Sequence, residues 1–286
     1  MTIKEFKSQL INDISHLYDV EEASQIVSWL LEDRLQLSRI KLLNSLHSTL
    51  DQSHLNQLQL DAACLMQSMP IQQIVGYAEF YGLKIGVNAH TLIPRPETEE
   101  LVEWILQNNT HKNPFHILDI GTGSACIALA LKQNWNSAHI YALDISEEAL
   151  AQARKNAQTL DLPITFIQAD ILAHPLPFDI SEMDIIVSNP PYIHLDEKTS
   201  MRPNVLQYEP HQALFVDDEE VLLFYKQISQ LIRTHAKKTT QLYFEINEQY
   251  GQAIIELLIQ QGFQQVQLKK DRQGKDRMVY ALYLVN

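Results

Sequence analysis

The chain is short of glycine, with 8 in 286 residues against an average usage of about 7%. Each glycine is therefore expected to mark a place where a side chain is not tolerated. Cysteine occurs twice, as Cys64 and Cys126, in separate regions. That excludes a disulfide framework and fits a reducing compartment, and both thiols read as small buried hydrophobes. Long apolar runs are missing as well: no stretch approaches the ~18 residues of a membrane span. The opening Met1-Thr2-Ile3-Lys4-Glu5-Phe6 leads into charged, amphipathic sequence rather than a signal core, so a cytoplasmic protein without membrane association is expected. Positive charge is scarce, with Lys+Arg 22 against Asp+Glu 35 and a net charge of -13, the wrong sign for extended nucleic-acid binding. The 11 histidines are scattered, with no His-x-x-x-His or Cys-x-x-Cys pair, and nothing points to a metal.

What is present divides the chain near residue 75. Residues 1-75 hold no glycine, and their apolar positions recur at helical spacing. The first run is Phe6, Leu10, Ile14 and Leu17, and the second, after an Asp19/Glu22 capping box, is Ala23, Ile26, Val27, Leu30 and Leu31. A third carries Ile40, Leu43 and Leu46, and a fourth, beginning after Ser53, carries Leu55, Leu58, Ala62 and Leu65. A bundle of about four helices is expected, acidic in itself with 5 basic and 9 acidic residues. Gly76, Gly82 and Gly86 then punctuate an alternating Leu83-Lys84-Ile85-Gly86-Val87, which reads as a β-hairpin linker over 76-94. Pro94 and Pro96 end the pairing, and Pro96 suits the first turn of a helix carrying Leu101, Val102, Trp104 and Ile105.

From residue 95 to 286 strands and helices alternate, the pattern of a parallel sheet covered on both faces. Strands are expected at 116-120, 139-144, 164-170, 183-189, 241-246, 264-270 and 278-284, and helices at about 125-134, 147-159, 219-235 and 249-261. Only Asp271-Arg272-Gln273-Gly274-Lys275-Asp276-Arg277 separates the last two strands, so they form a hairpin at an antiparallel edge. The fold class is α/β: seven strands with that ending resemble the layout of the Rossmann-like methyltransferases, with a small helical domain in front.

Ligands of such sheets bind at the carboxyl ends of the strands. The first end is Asp119-Ile120-Gly121-Thr122-Gly123-Ser124-Ala125, where two glycines let a ligand approach the backbone before a helix N-terminus. The second is Asp144, able to accept both hydroxyls of a ribose. The third is Asp170-Ile171, an acceptor for an adenine amino group beside an apolar wall. These alone leave methyltransferase and dinucleotide enzyme open, and either carboxylate could be a solvated loop residue or a helix cap.

The fourth end decides. Asn189-Pro190-Pro191-Tyr192 follows Ile185-Ile186-Val187-Ser188, and its prolines hold a rigid turn lined by carbonyls. The Asn189 side-chain oxygen and the Pro190 carbonyl can each accept one N–H of a planar amino group while Tyr192 packs on its face. This motif after a Gly-x-Gly strand resembles S-adenosylmethionine-dependent methyltransferases of planar NH2 groups, on bases or side-chain amides. The resemblance narrows with Pro70-Ile71-Gln72, Gly76, Phe80-Tyr81-Gly82, Leu92-Ile93-Pro94-Arg95-Pro96-Glu97-Thr98-Glu99, Glu209-Pro210, and Asp271 with Gly274 and Arg277. Together these are similar to the HemK/PrmC-type glutamine methyltransferases of peptide chain release factors, over nearly the whole chain.

The resemblance implies methyl transfer from S-adenosyl-L-methionine to the glutamine side-chain nitrogen in the Gly-Gly-Gln segment of class-1 release factors. It implies Asn189, Pro190 and Tyr192 as catalytic residues, with Pro191 also at the substrate. For the cofactor it implies Asp119, Gly121, Thr122, Gly123, Ser124, Ala125, Asp144, Asp170, Ile171 and Asn189. It further implies a monomer whose amino-terminal bundle docks the substrate. Three positions depart from the family pattern: Ala125 stands for a usual glycine, Glu97 for a frequent Asp, and the acidic Val216-Asp217-Asp218-Glu219-Glu220 replaces a glycine-containing loop. An adenine-amino methyltransferase, which would need a basic track, and a non-catalytic binding module are the competing readings.

Overall fold

The computed structural model describes residues 1–110, 115–173, 175–216 and 221–285, and the chain divides into two compact units. The first comprises Met1–Tyr77 and Met201–Tyr208, the second Ala78–Ser200 and Glu209–Asn286.

The first unit is built from α1 (Ile3–Ile14), α2 (Val20–Arg34), α3 (Arg39–Asn44), α4 (Gln52–Met66) and α5 (Ile71–Val75). Phe6, Leu10 and Ile14 pack with Val27, Leu30, Leu31, Leu58 and Leu65 in one core. The third apolar run does not fall where its spacing suggests: Ile40 and Leu43 are 72% and 55% exposed, and Leu42 is the residue that turns inward. In a helix of 6 residues one apolar neighbour must face the core and those beside it cannot. Asp19 does cap α2, accepting from the Glu22 amide at 2.8 Å. The Glu22 carboxylate, expected to complete a capping box, instead accepts from Arg202 at 3.1 Å. The fourth helix begins before Ser53, because Asp51 is its N-cap and accepts from the His54 amide. Arg34 draws three elements together, donating to the buried Asp61 at 2.6 Å and to the Ile74 carbonyl at 2.6 Å.

The second unit opens with the ribbon β1 (Tyr77–Phe80, from Ala78 in this unit) and β2 (Leu83–Gly86), followed by α6 (Pro96–Asn108). The wound sheet then runs through β3 (His116–Ile120), α7 (Cys126–Asn134), β4 (His139–Asp144), α8 (Glu147–Leu160), β5 (Thr165–Gln168) and β6 (Ile185–Ser188). Next come the short β7 (Ile193–His194), α9 (Pro203–Tyr208, part of the first unit), α10 (His211–Leu214) and β8 (Phe215–Val216). The chain closes with α11 (Leu223–His235), β9 (Thr240–Glu245), α12 (Gly251–Gln260), β10 (Gln264–Lys270) and β11 (Asp276–Tyr283).

Seven strands form one sheet in the order β10-β11-β9-β6-β3-β4-β5, with β11 antiparallel to β9 and β10 antiparallel to β11. The topological switch lies between β3 and β6, each of whose other neighbours continues in the opposite direction along the sheet. The expected sheet strands and the helices between them agree with those observed except at their edges, whereas β7, α9, α10 and β8 were not expected. The third and fourth strands stop two and one residues short of the expected Asp170 and Asn189, where Asp170 and the prolines leave the ladder. The helix expected from 219 is described from Leu223, residues 217–220 of the acidic loop lying outside the described residues. Both cysteines are free and half-buried rather than fully buried.

The ribbon belongs to the second unit, where Asn156 on α8 holds it. Its side-chain oxygen accepts from the Gly86 amide at 2.9 Å, and its amide donates to the carbonyls of Gly86 and Ser124, each at 2.9 Å. One buried amide thus joins β2, α8 and the loop after β3. A Cβ on Gly86 would lie 2.6 Å from the Asn156 oxygen and 2.5 Å from the Gln152 nitrogen. We expect Gly86→Ala to destabilise the protein by about 1–3 kcal/mol by displacing that amide. Urea denaturation measures it, and a loss under about 0.5 kcal/mol would show that the contact yields freely.

Candidate functional site

The loop after β3 folds back onto the end of β4. The amides of Gly121 and Thr122 both donate to the Leu143 carbonyl, at 2.8 and 3.0 Å, and the Gly123 amide donates to Asp144 Oδ2 at 2.8 Å. Gly121 and Gly123 take φ of 71° and 54°, the left-handed region where an L side chain is disfavoured. Ala125 also has φ of 63° and serves as N-cap of α7. Its methyl is fully buried in the core, so about 0.8 kcal/mol of burial offsets the roughly 1–2 kcal/mol of strain that glycine would avoid.

These strand ends enclose a cavity of about 470 Å³, within the range of small-molecule sites. Of the residues singled out from the sequence, Gly121, Gly123, Asp144, Asp170 and Ile171 line it, as do Asn189, Pro190 and Pro191. Asp119, Thr122, Ser124, Ala125 and Tyr192 do not line it. Ile145, Ser146 and Phe224 also line it and were not singled out from the sequence; the position of Ile145 directly after the acidic strand tip Asp144 was the one signal for it. A second cavity of about 390 Å³ lies near the amino ends of β6 and β9, beside Asp184 and Gln241, the end of an open sheet away from its ligand crevice.

Asp144 accepts from the amides of Gly123 and Ser146 at 2.8 and 3.0 Å. Burial raises its pKa, and those same amides oppose the rise. Asp170 Oδ1 accepts from the Leu172 amide at 2.9 Å, so each carboxylate both shapes its loop and lines the cavity.

Behind the Asn189 turn lies a buried polar cluster. Glu245, at the end of β9, is 1% exposed. Its Oε2 accepts from the Thr98 hydroxyl at 2.7 Å and its Oε1 from the Tyr192 hydroxyl at 3.0 Å. Asn189 Nδ2 donates to Thr98 Oγ1 at 3.3 Å, and the Asn247 amide donates to the Tyr192 carbonyl at 3.3 Å. Burial pushes the Glu245 carboxyl above its ordinary range, while hydrogen bonds from Thr98 and Tyr192 and the charge of Arg277 pull the other way. Burial and the neighbouring Glu245 raise the Tyr192 phenol. Tyr192, expected against a substrate face, is thus tethered by its hydroxyl away from the cavity wall.

Two further carboxylates brace the site. Glu209 is 4% exposed; it accepts from the Ile93 amide at 3.0 Å and pairs with Arg95, fixing the Pro94–Pro96 segment that leads into α6. Asp271 accepts from the amides of Gln273 and Lys275 and from Arg277 Nε, which directs Arg277 to the Ile246 carbonyl at 3.3 Å. Glu97, with its changed reach, accepts from Gln273 at 3.2 Å.

Comparison with known proteins shows the family. Residues 12–76 match the PrmC N-terminal domain and residues 117–206 a methyltransferase domain. The release factor glutamine methyltransferase of Flavobacterium psychrophilum is 45% identical over 98% of both chains. The chain belongs to the release factor glutamine methyltransferase family. The enzyme of that name from Bacteroides thetaiotaomicron is 48% identical over 76% of this chain and 77% of its own. A methyltransferase structure from Pyrococcus furiosus shares the fold, with a TM-score of 0.52 at 17% identity over 82% of this chain and 100% of its own.

Asp119, expected at the cofactor, is 1% exposed beneath the glycine loop. Its Oδ2 accepts from Thr122 at 2.6 Å, and its Oδ1 has no hydrogen-bond partner among the described residues. Burial raises its pKa to about 7. The folded state therefore holds a proton that the unfolded chain releases, so this group's contribution to stability falls as pH rises from about 4 to about 7. Asp119→Asn, which cannot titrate, should flatten that decline. Between pH 5 and pH 8 the wild type should lose about 2 kcal/mol more than the variant in urea denaturation, and parallel losses would refute the assignment.

Proposed function

We propose that the protein methylates the side-chain amide nitrogen of the glutamine in the Gly-Gly-Gln segment of class-1 peptide chain release factors, with S-adenosyl-L-methionine as methyl donor. The observation that carries this reading is Asn189 and Pro190 lining the wall of a cavity whose other strand ends are a glycine loop and two carboxylates. The open cradle at Gly121 and Gly123, where the backbone can be approached closely, fits the cofactor, with Asp144 at the ribose and Asp170 and Ile171 at the adenine. When bound it supplies an electrophilic methyl group on a sulfonium.

The chain's own part is geometry and charge. An amide nitrogen is a poor nucleophile because its lone pair is delocalised, so catalysis in this reading rests on geometry rather than on a general base. Asn189 Oδ1 and the Pro190 carbonyl each accept one N–H of the substrate amide and so aim the nitrogen at the methyl group, an alignment that contributes several kcal/mol in comparable systems. As nitrogen gains positive charge both acceptors bind it more strongly than the neutral amide. The proton then leaves to water.

The amino-terminal unit, residues 1-75, serves in this reading as the docking surface for the release factor, with 76-94 as connector and 95-286 as catalytic domain. The charge of -13 favours a protein substrate over a nucleic acid. Among the described residues no helix is long and apolar enough to cross a membrane, and a cytoplasmic monomer fits the role.

Asn189→Ala should abolish transfer to a release factor, read by mass spectrometry of the glutamine, while S-adenosylhomocysteine still binds. Normal turnover would remove Asn189 from the reaction, and methylation of duplex DNA in place of the release factor would overturn the substrate assignment. Asp144→Ala should weaken S-adenosylhomocysteine binding at least tenfold, about 1.4 kcal/mol, by calorimetry; an unchanged Kd would exclude it from the cofactor site.

A further inference from the structure

Asn189 has two nearly isosteric faces, a carbonyl and an NH2 group, and only one of them can accept from a substrate N–H. The residues behind it settle which face is presented. Glu245 receives two hydroxyls, Thr98 at 2.7 Å on Oε2 and Tyr192 at 3.0 Å on Oε1. A carboxylate only accepts, so the single Thr98 proton is committed to it. Thr98 Oγ1 is then left with lone pairs alone toward Asn189, and only Nδ2 can make the 3.3 Å contact between them. With Nδ2 turned inward, Oδ1 is the atom left for the cavity that Asn189 lines.

We propose that Thr98 and Glu245 are positioning residues that fix the orientation of the Asn189 amide through a one-way chain of hydrogen bonds, Asn189 Nδ2 to Thr98 and Thr98 to Glu245. The inference rests on the reading of Asn189 as acceptor for the substrate amide and adds to it what keeps that acceptor facing outward. Without the chain the amide is free to rotate about its last torsion, and in the flipped state an NH2 group confronts the substrate NH2.

The members of the chain come from separate elements. Thr98 lies in the first turn of α6, where the buried Glu209 fixes the preceding segment, and Glu245 ends β9. Arg277, set by Asp271, donates to the carbonyl of Ile246, the residue after Glu245. Thr98 and Glu245 are 3% and 1% exposed, so neither offers a surface to substrate; their effect passes through Asn189.

The test compares Thr98→Val, which keeps shape and removes the hydroxyl, with Thr98→Ser, which keeps the hydroxyl and removes the methyl. Release-factor methylation is followed at saturating S-adenosylmethionine, and S-adenosylhomocysteine affinity is measured by calorimetry. The valine variant should lose about 10- to 100-fold in kcat, the scale of a misdirected catalytic group, with cofactor-product affinity unchanged. The serine variant should stay within about threefold of wild type, a factor worth less than 1 kcal/mol.

Equal impairment of the two variants would assign Thr98 to packing and overturn the proposal, as would full activity of the valine variant. If the valine protein does not bind S-adenosylhomocysteine, Thr98→Ala replaces it under the same comparison with serine. Asn189→Ala run alongside separates the two levels: an active Asn189→Ala protein refutes the reading of the site, whereas an inactive one beside a fully active Thr98→Val protein refutes the positioning chain alone.

Discussion

Burial of one carboxylate constrains how the second unit is put together. A carboxylate moved from water into a protein interior costs several kcal/mol unless its lone pairs are filled, and Glu245 is 1% exposed. Its partners cannot come from its own strand, where the backbone is already committed to β11 and β6. They come from the first turn of α6 and from the Asn-Pro-Pro-Tyr turn, with Arg277 of the last hairpin supplying charge nearby. Satisfying Glu245 therefore requires three segments far apart in sequence to adopt one arrangement, and that arrangement backs the Asn189 turn, which lines the cavity.

The same device recurs at smaller scale. Glu209 gathers Ile93 and Arg95, and Asp271 gathers the turn that delivers Arg277. In each case a buried acid organises donors from elsewhere, so removing the acid would leave backbone amides or a guanidinium unpaired, the costlier half of a broken buried pair. Much of the chain's acidic excess is on the surface, but these three carboxylates are inside and act as fixed points. The scarce glycines do the opposite work: Gly121 and Gly123 leave a channel where the backbone can be approached, and Gly86 lets a buried amide come within reach of the ribbon.

The sheet and its cavity were legible in the sequence because the relevant signals are local. Apolar runs that end in Gly, Asp or Asn-Pro-Pro announce both a strand and the place where it stops, and the structure carries Gly121, Asp144, Asp170 and Asn189 to one cavity. Glu245 gave no such signal, since a lone glutamate within the strand expected at 241-246 carries no local mark of burial, and its burial depends on Thr98, 147 positions away. Tyr192 lies off the cavity for the same reason. Its ring was legible, but the pull of its hydroxyl toward Glu245 is a tertiary effect. Ile40 and Leu43 failed differently, because one turn of helix cannot bury three neighbouring apolar side chains, and spacing alone does not say which faces inward.

The acceptor character of the turn also bears on which substrates the cavity can take under the proposed chemistry. Pro190 and Pro191 have no amide hydrogen, and Asn189 Nδ2 is engaged by Thr98. The turn therefore meets an incoming group with the Pro190 carbonyl and Asn189 Oδ1, and its two prolines add no donor. A glutamine amide brings two N–H groups to such a wall and satisfies it. A glutamate of the same shape brings only lone pairs and negative charge, leaving oxygen facing oxygen, and sites that leave buried polar groups unpaired with the wrong substrate reject it by factors on the order of 10⁴ or more. The preference for an amide over its acid then needs no dedicated contact with the substrate's own carbonyl; it follows from prolines that cannot donate and from an asparagine whose NH2 group is turned toward Thr98.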